Sequence, residues 1–504
     1  MKGKPCPVDY DPGVTRMRRT VEAEFIGRTY DDFLFRPQFG VAASRRDISL
    51  RTRLTRRLSL ELPIVSANMD SVTGTDMARA MALEGGVGVV HRGMTITAQA
   101  GAVARLKRTH SYIVEEPLCL PRGTTIQEAR EFTAQHNITG ILIEATRGSG
   151  ILVGLLSNRD LPWIEGLEDH RVEEFMTPLE KLVTGPPDIS AEDAERRMFD
   201  HRIEKLPLVD PDHRIRGLIT KKDLILARRR PYTSKDGKGR LLVGAVIGAR
   251  GDFLERAAEL LRTGADVLLI DIAHGHSAVM RRGVEAVRAK FGDVELVGGN
   301  VGTAEGAAFL RDLGVDGIKV GIGPGLGCRT RLETGAGVPQ LQAIREAWCA
   351  VGDSVPIIAD GGVREDKDLF LALICGASSV MLGSMLSGTD EAPGSLIEDP
   401  GTGEKRKIYR GMTSPQAVFD ALYSDESPDT AELPFDTPAE GQEIQIPYKG
   451  SVVDILHRIR GHLRSAVSYA GEETLAAVRA KVLPDPLRYL VPLSAAARAE
   501  SYER

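Results

Sequence analysis

Gly317-Ile-Lys-Val-Gly-Ile-Gly-Pro-Gly-Leu-Gly-Cys328 opens as a short β-branched run and passes directly into a glycine-rich loop. A run of this kind followed by a helical pattern reads as one βα unit. The same reading recurs at Leu62-Pro-Ile-Val-Ser, Val87-Gly-Val-Val-His, Leu241 to Gly248, Val267 to Asp271 and Val294 to Asn300. It recurs again at Pro356-Ile-Ile-Ala-Asp and Val380-Met-Leu-Gly-Ser. Eight such units predict an α/β chain folded as a (β/α)8 TIM barrel, interrupted after its second unit. A doubly wound sheet is the rival architecture, but no Gly-x-Gly-x-x-Gly follows any of these strands. In a barrel the residues just past each strand line the active-site face. Here they are Asn68, His91, Asp271, His274, Asn300, the Gly/Cys loop, Asp360-Gly-Gly and Gly383-Ser384.

Within the loop, Gly321, Gly323, Gly325 and Gly327 allow tight bends and bring backbone amides and carbonyls close to a ligand. Cys328 ends the loop, where a thiol can be presented as a nucleophile; a small buried cysteine is the alternative. At 504 residues the chain is too long for one simple core. Its 65 basic and 70 acidic residues leave a net charge of −5, with no basic block to suggest nucleic-acid binding. The densest basic cluster, Arg228-Arg-Arg-Pro, reads as a solvated hinge. No apolar run is long enough to span a membrane, and the N-terminus lacks an apolar signal core. Five scattered cysteines without paired metal spacing predict a reducing, cytoplasmic setting.

The interruption contains a repeat. Ile138-Thr-Gly-Ile-Leu-Ile-Glu is answered by Ile203-Glu-Lys-Leu-Pro-Leu-Val, and Gly154-Leu-Leu-Ser-Asn-Arg-Asp-Leu by Gly217-Leu-Ile-Thr-Lys-Lys-Asp-Leu. Each copy reads as a strand–strand–helix module, and two modules can bury one shared face. The closing Ser/Thr-x-x-Asp is a helix N-cap signal. It also resembles the cystathionine-β-synthase-type (CBS) repeat, a resemblance that assigns Asp160 and Asp223 to the ribose of a regulatory nucleotide. The expected organisation is barrel over 1–112, tandem CBS module over 113–230, and barrel again over 231–504.

Further motifs continue in order along the chain: Val65-Ser-Ala-Asn-Met-Asp-Ser-Val-Thr, Gly85-Gly-Val-Gly-Val-Val-His, Gly239-Arg-Leu-Leu-Val-Gly-Ala and Asp271-Ile-Ala-His-Gly-His-Ser. Gly299-Asn, the Cys loop, Gly335-Ala-Gly-Val-Pro-Gln, Asp360-Gly-Gly, Tyr409-Arg-Gly-Met and Pro447-Tyr-Lys-Gly follow. Together they resemble the IMP dehydrogenase/GMP reductase family over nearly the whole chain. The resemblance implies that Cys328 attacks the purine C2 and that hydride passes between that carbon and a nicotinamide. It makes Thr330 and Glu440 the pair that handles the ammonia or water proton. It assigns Asp360 to the purine ribose and Gly361, Gly362, Gly383, Ser384 and Tyr409 to the phosphate. Met69, Asn300, Gly411 and Met412 complete the substrate pocket. Asp271, Ser277, Gly321 and Gly323 are assigned to the dinucleotide, and the carbonyls of Gly323, Gly325 and Cys328 to a potassium ion. Cys349 and Cys375 fall in helical segments and read as core.

The family has two activities: NADPH-dependent reduction of GMP to IMP and ammonia, and NAD-dependent oxidation of IMP to XMP. Dehydrogenases carry an adjacent Arg-Tyr pair on a mobile flap, here at about 411–446; between Met412 and Glu440 this chain has Tyr423 but no arginine. Thr413 stands where dehydrogenases have Gly, and Ala439-Glu-Gly-Gln-Glu-Ile-Gln-Ile-Pro resembles the reductase form. Glu391-Ala-Pro-Gly and the flap length resemble the dehydrogenase. The expectation is therefore GMP reductase, with IMP dehydrogenase and a non-catalytic nucleotide sensor as alternatives. Leu326 replaces a phosphate-contacting Ser, which allows an altered purine nucleotide, and Ile272 replaces a Thr beside the nicotinamide. Adenine or guanine nucleotides are the expected effectors, and a homotetramer or homooctamer the expected assembly.

Overall fold

The computed structural model describes residues 23–108, 113–114, 117–136, 138–160, 166–229, 231–417 and 439–502. The N-terminal charges, Cys6, Tyr423 and most of the 411–446 segment lie outside the described residues. The chain forms two compact units. One comprises Met1–Lys107, Tyr232–Ser234 and Leu241–Arg504; the other comprises Arg108–Pro231 and Lys235–Arg240.

In the first unit eight strands close a barrel: β1 Ile64–Ser66, β2 Val87–Val90, β3 Val243–Ile247, β4 Val267–Asp271, β5 Leu296–Val301, β6 Gly317–Val320, β7 Ile357–Asp360 and β8 Ser379–Leu382. Neighbours pair in parallel and in chain order, with β8 joined to β1 and β2 to β3. This is the α/β TIM barrel that the eight apolar runs predict. The first strand starts two residues later than its apolar run, at Ile64, because Pro63 has no N–H to give the ladder. β2, β3, β6 and β8 are buried along their whole length, as parallel strands covered on both faces must be. Lys319, in the middle of β6, is the one charged residue among them.

Helix starts follow their caps. The hydroxyl of Ser277 accepts from the Met280 amide at the head of Ala278–Phe291, and Thr303 does the same for Ala304–Asp312. Each such cap stabilises its helix by about 1 kcal/mol. Beyond the eighth strand, Lys405–Arg410 pairs antiparallel with Glu443–Pro447. That ribbon brings Tyr409 to Met412 next to Glu440 to Gln442.

The second unit holds two small sheets. One orders Thr177–Pro178, Leu152–Ser157, Gly140–Glu144 and Cys119–Pro121; the other orders Lys205–Val209, Ile215–Thr220 and Ile113–Val114. Leu142 and Leu152 from the first and Leu218 from the second share one apolar cluster. Asp160 accepts from the Ser157 hydroxyl at 2.7 Å, and Asp223 from the Thr220 hydroxyl at 2.6 Å. The two acidic residues thus sit in the same local turn in each module. Cys349 lies half-buried in Gln340–Val351, and Cys375 is buried at the end of Asp366–Cys375, where burial pushes its thiol up to about 12. No described helix is long and apolar enough to cross a membrane.

Candidate active site

The Gly/Cys loop leaves β6 and is held by its own backbone and by the 439–447 segment. The Cys328 amide donates to the Gly325 carbonyl at 3.0 Å, and the Arg329 amide to the Glu440 carbonyl at 2.7 Å. Cys328 forms a β-bridge with Gly441, and the Gln442 amide donates to Gly327 at 3.1 Å. These bonds bring three distant side chains into a row. Cys328 Sγ lies 3.2 Å from Thr330 Oγ1, and Thr330 donates to Glu440 Oε2 at 2.7 Å. A thiol, a hydroxyl and a carboxylate in that order make a short relay for one proton.

Around the loop the glycines are needed for close approach. A Cβ at Gly411 would stand 2.4 Å from the Gly327 carbonyl, and one at Gly383 would stand 2.9 Å from the Tyr409 hydroxyl. The Tyr409 ring is buried between Gly327 and Gly383, with its hydroxyl 3.7 Å from Met69 Sδ. Burial and the nearby Asp360 carboxylate hold this phenol well above the ordinary tyrosine value. It therefore remains a protonated hydrogen-bond donor. Ser384 follows Gly383, just past the end of β8 at Leu382. Gly361 and Gly362, with φ of +87° and +79°, turn the chain after β7 against Pro324 in conformations that L side chains rarely adopt. Met412 lies with its sulfur 3.4 Å from the Asp70 amide.

Beneath the loop is a second polar cluster. Asp271 ends β4 and accepts from Asn68 Nδ2 at 2.6 Å. Asp360 ends β7 and accepts from Asn300 Nδ2 at 2.9 Å on Oδ2; no described residue donates to its Oδ1. Asn300 also donates to the Gly321 carbonyl at 2.7 Å, while its own Oδ1 is buried without a partner. A free carboxylate oxygen beside a buried unpaired acceptor suits the hydroxyl pair of a ribose, which is rich in donors. His91, past β2, is buried, and burial pushes its imidazole below the ordinary value despite the attraction of Asp70. Its Nδ1 accepts from the Gly93 amide at 3.1 Å.

Of the residues expected from the sequence, Cys328, Thr330 and Glu440 meet directly, and Met69, Gly383 and Tyr409 meet around one phenol. Asp271, Asn300, Gly321 and Asp360 share the second cluster. The Ser277 hydroxyl is engaged as a helix cap. The Gly325 carbonyl already serves the Cys328 amide, and its second lone pair is what a cation would use. Among the described residues no cluster of His, Cys, Asp or Glu is arranged to hold a metal ion.

Two buried residues of this site are not among the expected ones. Gln340 donates to the carbonyls of Val320 and Asp360, at 2.8 and 3.1 Å, tying β6 to β7. Lys319 reaches Asp360 at 2.6 Å and Asp271 at 3.0 Å. A signal for Lys319 was present, since a lysine in a strand with no solvent-facing side must find an acid.

The model of the IMP dehydrogenase / GMP reductase domain matches residues 27–502. Inosine-5'-monophosphate dehydrogenase of Nitrosopumilus maritimus is 43% identical over 457 residues, covering 89% of this chain and 93% of the relative. That of Aquifex aeolicus is 42% identical, covering 90% and 92%. Among solved structures, a cysteine-to-alanine variant of GMP reductase from Trypanosoma brucei with guanosine 5'-monophosphate is 36% identical, with a TM-score of 0.79. It covers 95% of this chain and 98% of that one. GMP reductase from the same organism with guanosine 5'-triphosphate is 33% identical, with a TM-score of 0.70 and coverage of 94% and 100%.

Proposed function

Because the chain belongs to the IMP dehydrogenase/GMP reductase family of purine-nucleotide oxidoreductases, we propose that it acts as a GMP reductase. The reaction converts GMP, NADPH and a proton to IMP, ammonia and NADP. Cys328 adds to the purine C2 as thiolate, and the C2–N bond to the amino group breaks with ammonia leaving. Thr330 and Glu440 deliver the proton that ammonia needs. The nicotinamide, when bound, supplies the hydride that C2 accepts as the Cys328 sulfur departs. Splitting one substitution into two lowers the barrier of each.

Asp360 would accept from the purine ribose hydroxyls, and Gly361, Gly362, Gly383, Ser384 and Tyr409 would hold the phosphate. Met69, Asn300, Gly411 and Met412 would line the rest of that pocket. Asp271, with Ser277, Gly321 and Gly323, would hold the dinucleotide. A potassium ion would be held by the carbonyls of Gly323, Gly325 and Cys328. The same reading makes 113–230 a tandem CBS domain taking adenine or guanine nucleotides at Asp160 and Asp223, in a cytoplasmic homotetramer or homooctamer.

The observation that carries the reductase direction is the lack of any arginine between Met412 and Glu440. Without that cation nothing there lowers the cost of deprotonating a water, whereas a departing amine needs only a proton donor. The dehydrogenase reading draws on the names of the 42–43% identical relatives. Two parallel assays decide, GMP with NADPH and IMP with NAD, both in potassium buffer. NADPH consumption with IMP and ammonia formed is expected. XMP formation from IMP, with no GMP turnover, would reverse the direction.

The Thr330–Glu440 pair has its own test. Glu440→Gln keeps the shape but replaces the acid with a weaker proton relay. Turnover should fall about 100-fold or more, the usual range for a positioned proton donor, with GMP affinity within a few-fold of wild type. Unchanged turnover would remove Glu440 from the chemistry.

A further inference from the structure

Three strands carry Asp271, Gly299 and Lys319 at one level of the barrel. In the parallel register Asp271 stands beside Gly299, and Gly299 beside Lys319. Lys319 is 3% exposed and bonds carboxylates on both sides: Asp360 on neighbouring β7, and Asp271 on β4, one strand beyond β5. The intervening strand permits this because its residue has no side chain. A Cβ at Gly299 would stand 2.5 Å from the Lys319 Cβ.

One ammonium is thus divided between two carboxylates. Burial works against its charge, but Asp271 and Asp360 outweigh burial and hold the lysine above its ordinary value. The second oxygen of Asp271 is occupied by Asn68, and the Lys319-bonded oxygen of Asp360 is shared with Asn300. Both acids draw on one ammonium, so a ligand that donates to either carboxylate lowers that acid's charge density and its pull on Lys319, leaving more of the ammonium to the other.

We propose that Lys319 is a positioning residue that couples the mononucleotide pocket to the dinucleotide pocket through this shared ammonium. The proposal rests on the assignment above of Asp360 to the purine ribose and Asp271 to the nicotinamide ribose. A ribose that donates to Asp360 weakens that acid's draw on Lys319. The ammonium then settles on Asp271 and fixes its rotamer before the dinucleotide arrives. Energetic coupling of this kind is reciprocal.

The test is a double-mutant cycle read by calorimetric titration of GMP with no dinucleotide present. Asp271→Asn, remote from the purine in this assignment, gives the whole ammonium to Asp360. It should shift the GMP dissociation constant by about 5-fold or more. In a Lys319→Met background the same substitution should shift it less than about 2-fold, and Lys319→Arg should restore the shift. An Asp271→Asn protein with unchanged GMP affinity would overturn the coupling. So would an equal shift with and without Lys319. If Lys319→Met does not fold, the Asp271→Asn and Lys319→Arg arms still decide. Failure of the underlying assignment reads differently: Asp360→Asn would then leave GMP affinity untouched.

Discussion

Cys328→Ala should lose turnover by on the order of 10⁴-fold or more, because no other group in the row of Cys328, Thr330 and Glu440 can form the bond to C2. The loop itself should survive. Its anchors are the Cys328 amide on Gly325, the bridge to Gly441 and the Arg329 amide on Glu440, and all are backbone bonds. The side chain contributes a single 3.2 Å contact to Thr330, whose stronger bond to Glu440 remains. GMP should therefore bind within a few-fold of the wild-type affinity by calorimetry while NADPH consumption stops. Turnover that persists in the alanine variant would mean that hydride reaches C2 without a covalent adduct.

Gly299→Ala should damage the fold and the Asp271 and Asp360 clusters at once. The added methyl would meet the Lys319 Cβ at 2.5 Å and its carbonyl oxygen at 2.8 Å, both atoms of a neighbouring strand in the closed barrel. Neither can move without shifting β6, so the penalty is steric and is expected near the upper end of overpacking, about 3 kcal/mol. The same shift pulls the ammonium from Asp271 and Asp360 together. A lower thermal transition and the loss of GMP binding are expected, read by differential scanning calorimetry and titration. Gly298→Ala is the control, since its methyl would stand 3.3 Å from Leu310 Cδ2, a side-chain end that can yield. Equal behaviour of the two variants would show that the space beside Lys319 is not the critical one.

Much of this site could be read from residues in order along the chain. The strands were legible because a fully covered parallel barrel demands unbroken apolar runs, and each run ends where polar residues or glycines begin. Cys328 stood out as a thiol closing a loop of four glycines, a pattern that also fits a turn with a small buried cysteine. The resemblance of the surrounding motifs is what favoured the reactive role. Asp360 was marked by its place at the end of a strand run, before paired glycines, and its role by the family resemblance. Lys319 escaped that reading. A lysine inside an apolar run signals that it must find an acid, but which acids it finds is fixed only by the register, with the empty glycine position beside it and an acid on either side.

The number and order of the βα units, the repeat inside the insertion and the place of the glycine-rich loop ending at Cys328 are legible in the chain alone. These depend on local periodicity and on the backbone demands of single turns. The resemblance paired Thr330 with Glu440 and grouped Tyr409 with Gly383, but the contacts themselves, and the sharing of Lys319 between Asp271 and Asp360, exist only in the folded barrel. Each of those contacts joins residues whose separation along the chain carries no information about distance. Strand register and the antiparallel ribbon of Lys405–Arg410 with Glu443–Pro447 bring them within hydrogen-bonding or packing range.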